Sequence, residues 1–239
     1  MSRLKESVIT MAVIALVLGS RASLAEDMNG DRWKFTVAPY LWGTSVDGTI
    51  AVNQRKFDAS ADFNDLVEFA DSGGALRFEA RRRWGFFADV WFASLSDKQD
   101  TPIGRAEFSF DQTISEAGLL YAFRRDLTGY LGARNQDIDG DLKIPVVGKL
   151  GTNENWTDAI VGLRYTPMLS DRWQGTLRAD AGTGDSDFTW LAQVGIGYLF
   201  SKRWSGHLAY RYMDTDLEKG NFEWNLAQSG LGLGLVYQF

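Results

Sequence analysis

The chain has 239 residues, no cysteine and a formal net charge of −6 from 31 acidic and 25 basic residues. Without cysteine there can be no disulfide, thiolate metal site or cysteine nucleophile, and an acidic chain with no basic stripe argues against nucleic acid as a partner. Beyond the amino-terminal segment no apolar run reaches the ~18 residues that a spanning helix needs, which excludes a helical inner-membrane protein.

The amino terminus reads as a secretory leader. Arg3 and Lys5 precede an apolar run from Val8 to Leu18, broken only by Thr10, and Ser23-Leu24-Ala25 supplies small residues for cleavage. The expected division is a signal peptide over 1–25 and one domain over 26–239.

The first strand is predicted over 33–45. Phe35, Val37, Pro39 and Leu41 share one face, and Lys34, Thr36, Tyr40 and Trp42 the other. Pro39 cannot donate to a ladder. Asp47-Gly48 is a hairpin-type turn signal. An irregular stretch follows to about Gly74. Within it Phe63, Leu66, Val67 and Ala70 have helical spacing among Asp62, Asp65, Glu68 and Asp71, so that 62–71 forms either a helix in an outer loop or a plug in a lumen.

From there alternating segments are joined in turn by short and by longer acidic connections. Short turns fall near Arg82-Arg83, Arg125-Asp126, Ser170-Asp171 and Ser201-Lys202. Longer loops fall near Ser96–Arg105, Gly140–Asn155, Gly184–Asp187 and Asp216–Asn221. A transmembrane β-barrel has this rhythm, with short turns in the periplasm and long loops outside. Both chain ends then lie in the periplasm, and the strand count is even. The predicted strands are 33–45, 74–82, 84–95, 106–125, 128–141, 156–168, 172–184, 188–200, 203–216 and 222–239. That makes an all-β, antiparallel up-and-down barrel of about ten strands, with about eight or twelve as alternatives because 49–58 can add a strand with a partner.

Aromatics crowd the short-turn end: Trp84, Tyr121, Phe123, Tyr130, Tyr165, Trp173, Tyr198, Phe200, Trp204, Tyr237 and Phe239. They fit an interfacial girdle. The final strand alternates Leu231, Leu233, Leu235, Tyr237 and Phe239 with Gly232, Gly234, Val236 and Gln238. One greasy face ending on an aromatic terminus resembles the signal by which outer-membrane barrels are recognised by their assembly machinery.

Polar chemistry is expected in the lumen. Alternation turns Arg77, Glu79, Arg81, Asp89, Arg134, Asp158, Arg164, Arg178, Asp180 and Arg211 inward. Glu116 joins them if a bulge near Ser115 resets the strand, because Phe108 and Phe110 are out of phase with Leu119 and Tyr121. The signs nearly balance, which predicts a paired network; Arg178 with Asp180, and Arg164 with Asp158, are the pairs suggested by shared faces. His207 is the single histidine and falls near the periplasmic end of the lumen, poorly placed for a catalytic base. Asp137, Asp139, Gly140 and Asp141 have the wrong spacing for a calcium loop. The other acidic tips, Asp97/Asp100, Asp185/Asp187 and Asp214/Asp216/Glu218, read as solvated surface beside lipopolysaccharide. Nothing calls for a cofactor or a metal.

The segments YLW with the following DGT, FEARRRWGFFADV, WTDAIVGLRY, LSDRW, LRADAG, YRYMDTD and GLGLGLVYQF cover most of the chain after the leader. On them the chain resembles a family of small proteobacterial outer-membrane β-barrel proteins, with the general architecture of OmpA- and OmpW-like barrels. Asn135 stands where the family has an aromatic, and the loop after LRADAG is short. The resemblance implies fold and an outer-membrane location in a Gram-negative bacterium, and brings no catalytic residue with it. The expected function is non-enzymatic, a membrane-integrity or surface protein with a largely closed lumen. The alternatives are a narrow passive pore and, further off, a lipid- or peptide-modifying enzyme. The expected partners are outer-membrane lipids, lipopolysaccharide and the barrel-assembly machinery.

Overall fold

A chain whose apolar residues recur at every second position has to present one face of each strand to an apolar medium. The computed structural model describes residues 33–52, 55–62, 70–101, 104–144 and 148–239. Its elements in chain order are β1 Lys34–Trp42, β2 Ser45–Val52, β3 Arg55–Ala61, β4 Ala70–Arg81, β5 Trp84–Thr101, β6 Gly104–Ala122, β7 Leu127–Ile144, β8 Gly148–Tyr165, β9 Trp173–Gly184, β10 Phe188–Leu199, β11 Trp204–Lys219 and β12 Phe222–Gln238. The leader expected over 1–25 lies outside the described residues. So do 63–69, the body of the helix-or-plug segment, while Ala70 and Asp71 already belong to β4.

Twelve strand segments form ten staves. β1 and β2 pair with β12 in one antiparallel register, through Trp42↔Gly232 and then Ser45↔Ser229. On their other side β1 pairs with β4 and β2 with β3. The first stave is therefore β1–β2, interrupted at Gly43 and Thr44. The second is formed by β3 and β4. Each later strand pairs with the next, and β12 closes on β1, giving a closed antiparallel barrel of 10 strands. The 49–58 stretch does form strand with a partner, but it lengthens two existing staves and adds none. Asp47 and Gly48, expected at a turn, lie inside β2 because β12 continues beside them. The closing ladder between β1 and β12 skips Ala38 and Pro39, where proline has no N–H to give.

The long loops expected near 96–105 and 140–155 are instead paired strand over 96–101, 104–105, 140–144 and 148–155, their described residues. β5 and β6 stay in register to Thr101↔Gly104, and β7 and β8 to Ile144↔Gly148. The connections near 184–187 and 216–221 shrink to tight turns. Gly220 takes φ of 62°, and a Cβ there would meet nothing within 4 Å, so its turn needs the backbone freedom of glycine and not the space.

These strands outrun a bilayer, which needs ~9–11 residues per tilted strand. Their alternation inverts where they leave it. On the outer face of β7, Leu131 and Ala133 give way to Asn135, Asp137 and Asp139, while inside Arg134 and Gln136 give way to Ile138. On β8, Val161 and Ala159 give way outside to Thr157, Asn155 and Asn153, and inside Asp158 gives way to Trp156. On β12, Leu235, Leu233 and Leu231 give way to Ser229 and Asn225, and inside Gln228 is succeeded by Leu226, Trp224 and Phe222. Beside hydrocarbon the outer face must be apolar; beside water it is polar, and the apolar residues move to the inner face.

The inversion removes the need for a bulge near Ser115. The β5–β6 register runs unbroken, and Glu116 points inward without one. Phe110 sits on the inner face above the membrane, stacked on Trp224 with ring centroids 6.5 Å apart.

Every stave contributes exposed apolar side chains to one band, among them Leu41, Leu76, Val90, Leu119, Leu131, Val161, Leu177, Val194, Leu208 and Leu233. A belt this continuous is a lipid-facing surface, and the fold is a transmembrane barrel. At the short-turn end the rings meet in pairs: Trp84 with Tyr121 at 4.6 Å, Trp173 with Tyr198 at 4.9 Å and Trp204 with Tyr237 at 4.7 Å. Tyr130, expected among them, is turned inward and buried, since it shares a face with Arg134.

Candidate functional site: the barrel interior

The lumen is filled in levels. At the hairpin end Ile138, Trp156, Leu217, Phe222, Trp224 and Leu226 form an apolar core, with Val46, Ile50, Ala59 and Phe110 packed against it. One step down lie Trp42, Trp91, Ile114, Leu191 and Met213. Gln112 and Gln228 exchange amide hydrogen bonds of 3.2 and 2.8 Å from opposite walls of the barrel.

Below this comes charge. On five staves the residue two positions nearer the short-turn end than an apolar one just named is polar: Tyr40, Asp89, Glu116, Gln193 and Arg211. Period-two alternation keeps each pair on one face. Arg134 is wholly buried. Its Nε and Nη2 donate to Glu116 Oε1 at 2.9 and 2.7 Å, its Nη2 also to Asp180 Oδ1 at 2.7 Å, and its Nη1 to Thr189 Oγ1 at 3.3 Å. Arg178 donates through Nη2 to Glu116 Oε2 at 2.6 Å and to Asp180 Oδ2 at 3.0 Å, and through Nε to the Tyr130 hydroxyl at 2.8 Å. That hydroxyl donates onward to Asp180 Oδ2 at 2.6 Å. The ring of Tyr130 lies over Gly162, where a Cβ would approach it to 2.5 Å, so the stave beside it has to be bare.

A second cluster adjoins the first. Arg77 donates to Glu79 and to Asp89, each at 2.8 Å. Arg164 grips Glu79 with both Nη atoms, Nη2 reaching Oε2 at 2.7 Å, although β8 and β4 stand on different sides of the lumen. Tyr40 donates to Asp89 at 2.8 Å. Arg211 lies over the rings of Tyr40 and Trp42, 5.3 and 4.8 Å from their centroids, and donates weakly to Gln193 and the Tyr40 hydroxyl at 3.3 and 3.4 Å. Forked guanidinium–carboxylate pairs of this kind are strong and directional.

The inward residues named from the sequence thus separate into three groups. Arg77, Glu79, Asp89, Arg134, Arg164, Arg178 and Asp180 meet in the network. Arg178 does touch Asp180. Arg164 does not touch Asp158, which lies higher, buried, and accepts from the Ser186 backbone N–H at 2.9 Å. Arg81 and Arg211 face the short-turn end without a carboxylate within ion-pair distance among the described residues. Reading the sequence for charge missed Tyr40, Tyr130, Gln112, Gln228 and Thr189. Tyr130 shares its face with Arg134 and Gln112 shares its face with Glu116, which was the available signal for those two.

Beneath the network the interior opens into a cavity of about 340 Å³ at the short-turn end, where Ser201, Lys202 and Arg203 form part of its rim. His207 lines it, its Nε2 2.9 Å from Ser205 Oγ, and among the described residues no carboxylate pairs with it to complete a catalytic arrangement. Asp137 and Asp139 are outward on β7 and accept from Asn155 and Asn153 at 3.0 and 2.9 Å. No group of three metal-ligating side chains occurs among the described residues.

No family model matches the chain, and no curated protein matches it in sequence. Solved structures with a similar fold include the outer membrane protease OmpT from Escherichia coli, at 12% identity over 92% of this chain and 100% of that one, with a TM-score of 0.49. Neisserial surface protein A is similar at 13% identity over 86% and 97%, with a TM-score of 0.34. Ail, the attachment invasion locus protein of Yersinia pestis, is similar at 9% identity over 87% and 98%, with a TM-score of 0.37. Likeness at this level concerns the fold and transfers no activity.

Proposed function

We propose that the protein is a non-enzymatic outer-membrane barrel of a Gram-negative bacterium, exported by its leader, with a membrane-integrity or surface role and a lumen that does not conduct. The observation that carries this reading is the set of side-chain bridges between separate walls: Arg164 to Glu79, Arg178 to Glu116 and Gln112 to Gln228. A ten-stranded barrel is only slightly wider than one whose interior side chains can fill. Here it is filled at two levels, first by paired charge and then by tryptophan. The outward hairpins extend polar faces beyond the lipid toward lipopolysaccharide. The terminal face of Leu231, Leu233, Leu235, Tyr237 and Phe239 offers the assembly machinery an apolar edge. Phe239 also closes the seam, exchanging backbone hydrogen bonds of 3.1 and 3.0 Å with Phe35.

Single-channel recording of the refolded protein in a planar bilayer tests the closed lumen. The expected result is no stable opening. Steady nanosiemens-scale openings would overturn it in favour of the narrow pore, whose entrance would be the cavity at the short-turn end.

A further inference from the structure

The charge of the lumen does not close. Arg77, Arg134, Arg164 and Arg178 share Glu79, Asp89, Glu116 and Asp180. Two further acids on the inner face of β8 lie near the hairpin end: Asp158 accepts from Ser186, and Glu154 is 3.6 Å from Lys219. Arg81 and Arg211 are left over. Arg81 makes no ion pair or side-chain hydrogen bond with the described residues, and Arg211 has only an amide, a phenol and two ring faces. Both are half-buried, and both line the 340 Å³ cavity, with Lys202 and Arg203 at its rim.

We propose that this cavity binds a phosphate-type oxyanion entering from the short-turn side. Glu79 and Asp89 also line the cavity, but each is held by other partners and neither makes an ion pair with Arg81 or Arg211. A half-buried guanidinium with no carboxylate in contact is costly, and an anion in the cavity beside it offsets that cost. Their planar forks match the oxygens of a phosphate. Gln174, Gln193, Thr176 and His207 add neutral donors around the same space. The basic rim draws anions toward the mouth. The volume lies at the low end of the ~300–1,000 Å³ typical of small-molecule sites, suited to a phosphomonoester of sugar size and too small for a polymer. The phosphate belongs either to a soluble ester or to the headgroup of an inner-leaflet lipid reaching over the rim.

The test is a calorimetric titration of the refolded full-length protein in non-ionic detergent at low ionic strength. Sodium phosphate and glycerol 3-phosphate are titrated in turn, with chloride at matched ionic strength as the control. Saturable one-site binding of both phosphates and none of chloride is expected. Arg81→Gln, which breaks no hydrogen bond or ion pair and should keep the wild-type heat-modifiability on gels, is expected to weaken binding by at least about tenfold, as the loss of a charged hydrogen bond would. Arg81→Lys should recover part of the loss. Absence of saturable binding, or an Arg81→Gln affinity equal to wild type in a folded barrel, overturns the proposal. The titration is then repeated in nanodiscs of phosphatidylcholine and of phosphatidylglycerol. Phosphate binding retained in both assigns a soluble ester; binding lost only in phosphatidylglycerol assigns the headgroup. Either result keeps the site. Conductance plays no part in this readout, so the site and the closed lumen stand or fall separately.

Discussion

The hairpin end of the interior and the level beneath it are filled by opposite chemistry, although the same staves run through both. Above, Trp156, Trp224 and Leu226 are buried against one another, and the outward neighbours are Asn155, Thr157 and Asn225. Below, Arg134, Glu116 and Asp180 are as deeply buried, and the outward neighbours are Leu131, Ala133 and Ala117. The difference teaches that the inner face of a barrel strand has no fixed polarity of its own. It takes the polarity that the medium on the outer face does not require. In lipid the lumen can hold paired charge, because the outward side chains supply the apolar surface. In water that surface must move inward, as in any soluble domain.

The two levels should therefore fail in different ways. The largest effect is expected for Arg134→Ala, which strips a shared donor from Glu116 and Asp180 and leaves buried acids short of partners. Breaking a buried pair in this way costs about 3–5 kcal/mol. Denaturant unfolding in detergent, followed by tryptophan fluorescence, should show that loss, with raised leak in bilayers. A loss under about 1 kcal/mol would mean that the charge network does not hold the membrane level together.

Trp156→Ala comes next. Truncating a buried aromatic costs about 3 kcal/mol at the low end of the core range, because hairpins that project past the bilayer can relax into the space. The β7–β8 hairpin should become sensitive to protease added from outside, while conductance stays at wild-type level. Leak without protease sensitivity would place this level inside the permeability barrier and break the comparison.

The inversion itself can be located with an arginine on the outer face of β7. Leu131→Arg should cost about 2 kcal/mol or more, and Asn135→Arg about 1 kcal/mol or less, because the cost of a lipid-facing cation falls off toward the interface. Equal costs, measured as unfolding free energies in liposomes, would remove the boundary between Ala133 and Asn135. The smallest effect on stability, about 1 kcal/mol, is expected for deletion of Phe239, which is exposed and stacks on Phe35 and Tyr237. Its effect should appear in assembly, as a lower folded fraction in the outer membrane and unfolded chain in the periplasm. Wild-type levels of heat-modifiable protein would show that the terminal strand is not the assembly signal.

Some of this was legible residue by residue. A count of about ten staves follows from alternating runs punctuated by turns, and the aromatic girdle follows from where those runs end. Phe108 and Phe110 look out of phase only if the outer face is assumed greasy along the whole strand. The bulge invoked to reconcile them with Leu119 is absent because the medium changes and the register does not. Tyr130 was misread for a simpler reason. A tyrosine at the short-turn end suits a girdle, and its shared parity with Arg134, which turns it inward, carried the better information. The long acidic stretches read as loops because charge suggests solvent, but solvent wets only one face of a strand.

By itself, then, the amino-acid sequence determined the barrel, its antiparallel order and its lipid-facing band, and put the count at about ten staves with eight or twelve open. These depend on alternation and turn residues, which are local and need no knowledge of distant neighbours. That 49–58 lengthens two staves and adds none was decided by the closed sheet. Only the tertiary structure decided which arginine meets which acid. Arg164 and Glu79 are 85 residues apart and meet because closure and stagger bring β8 to face β4 across the lumen. Asp158, on the same face of the same stave as Arg164, is carried up to Ser186 instead. Parity places a side chain inside; the shear of the closed barrel sets its height and its partner, and no period in the sequence records that.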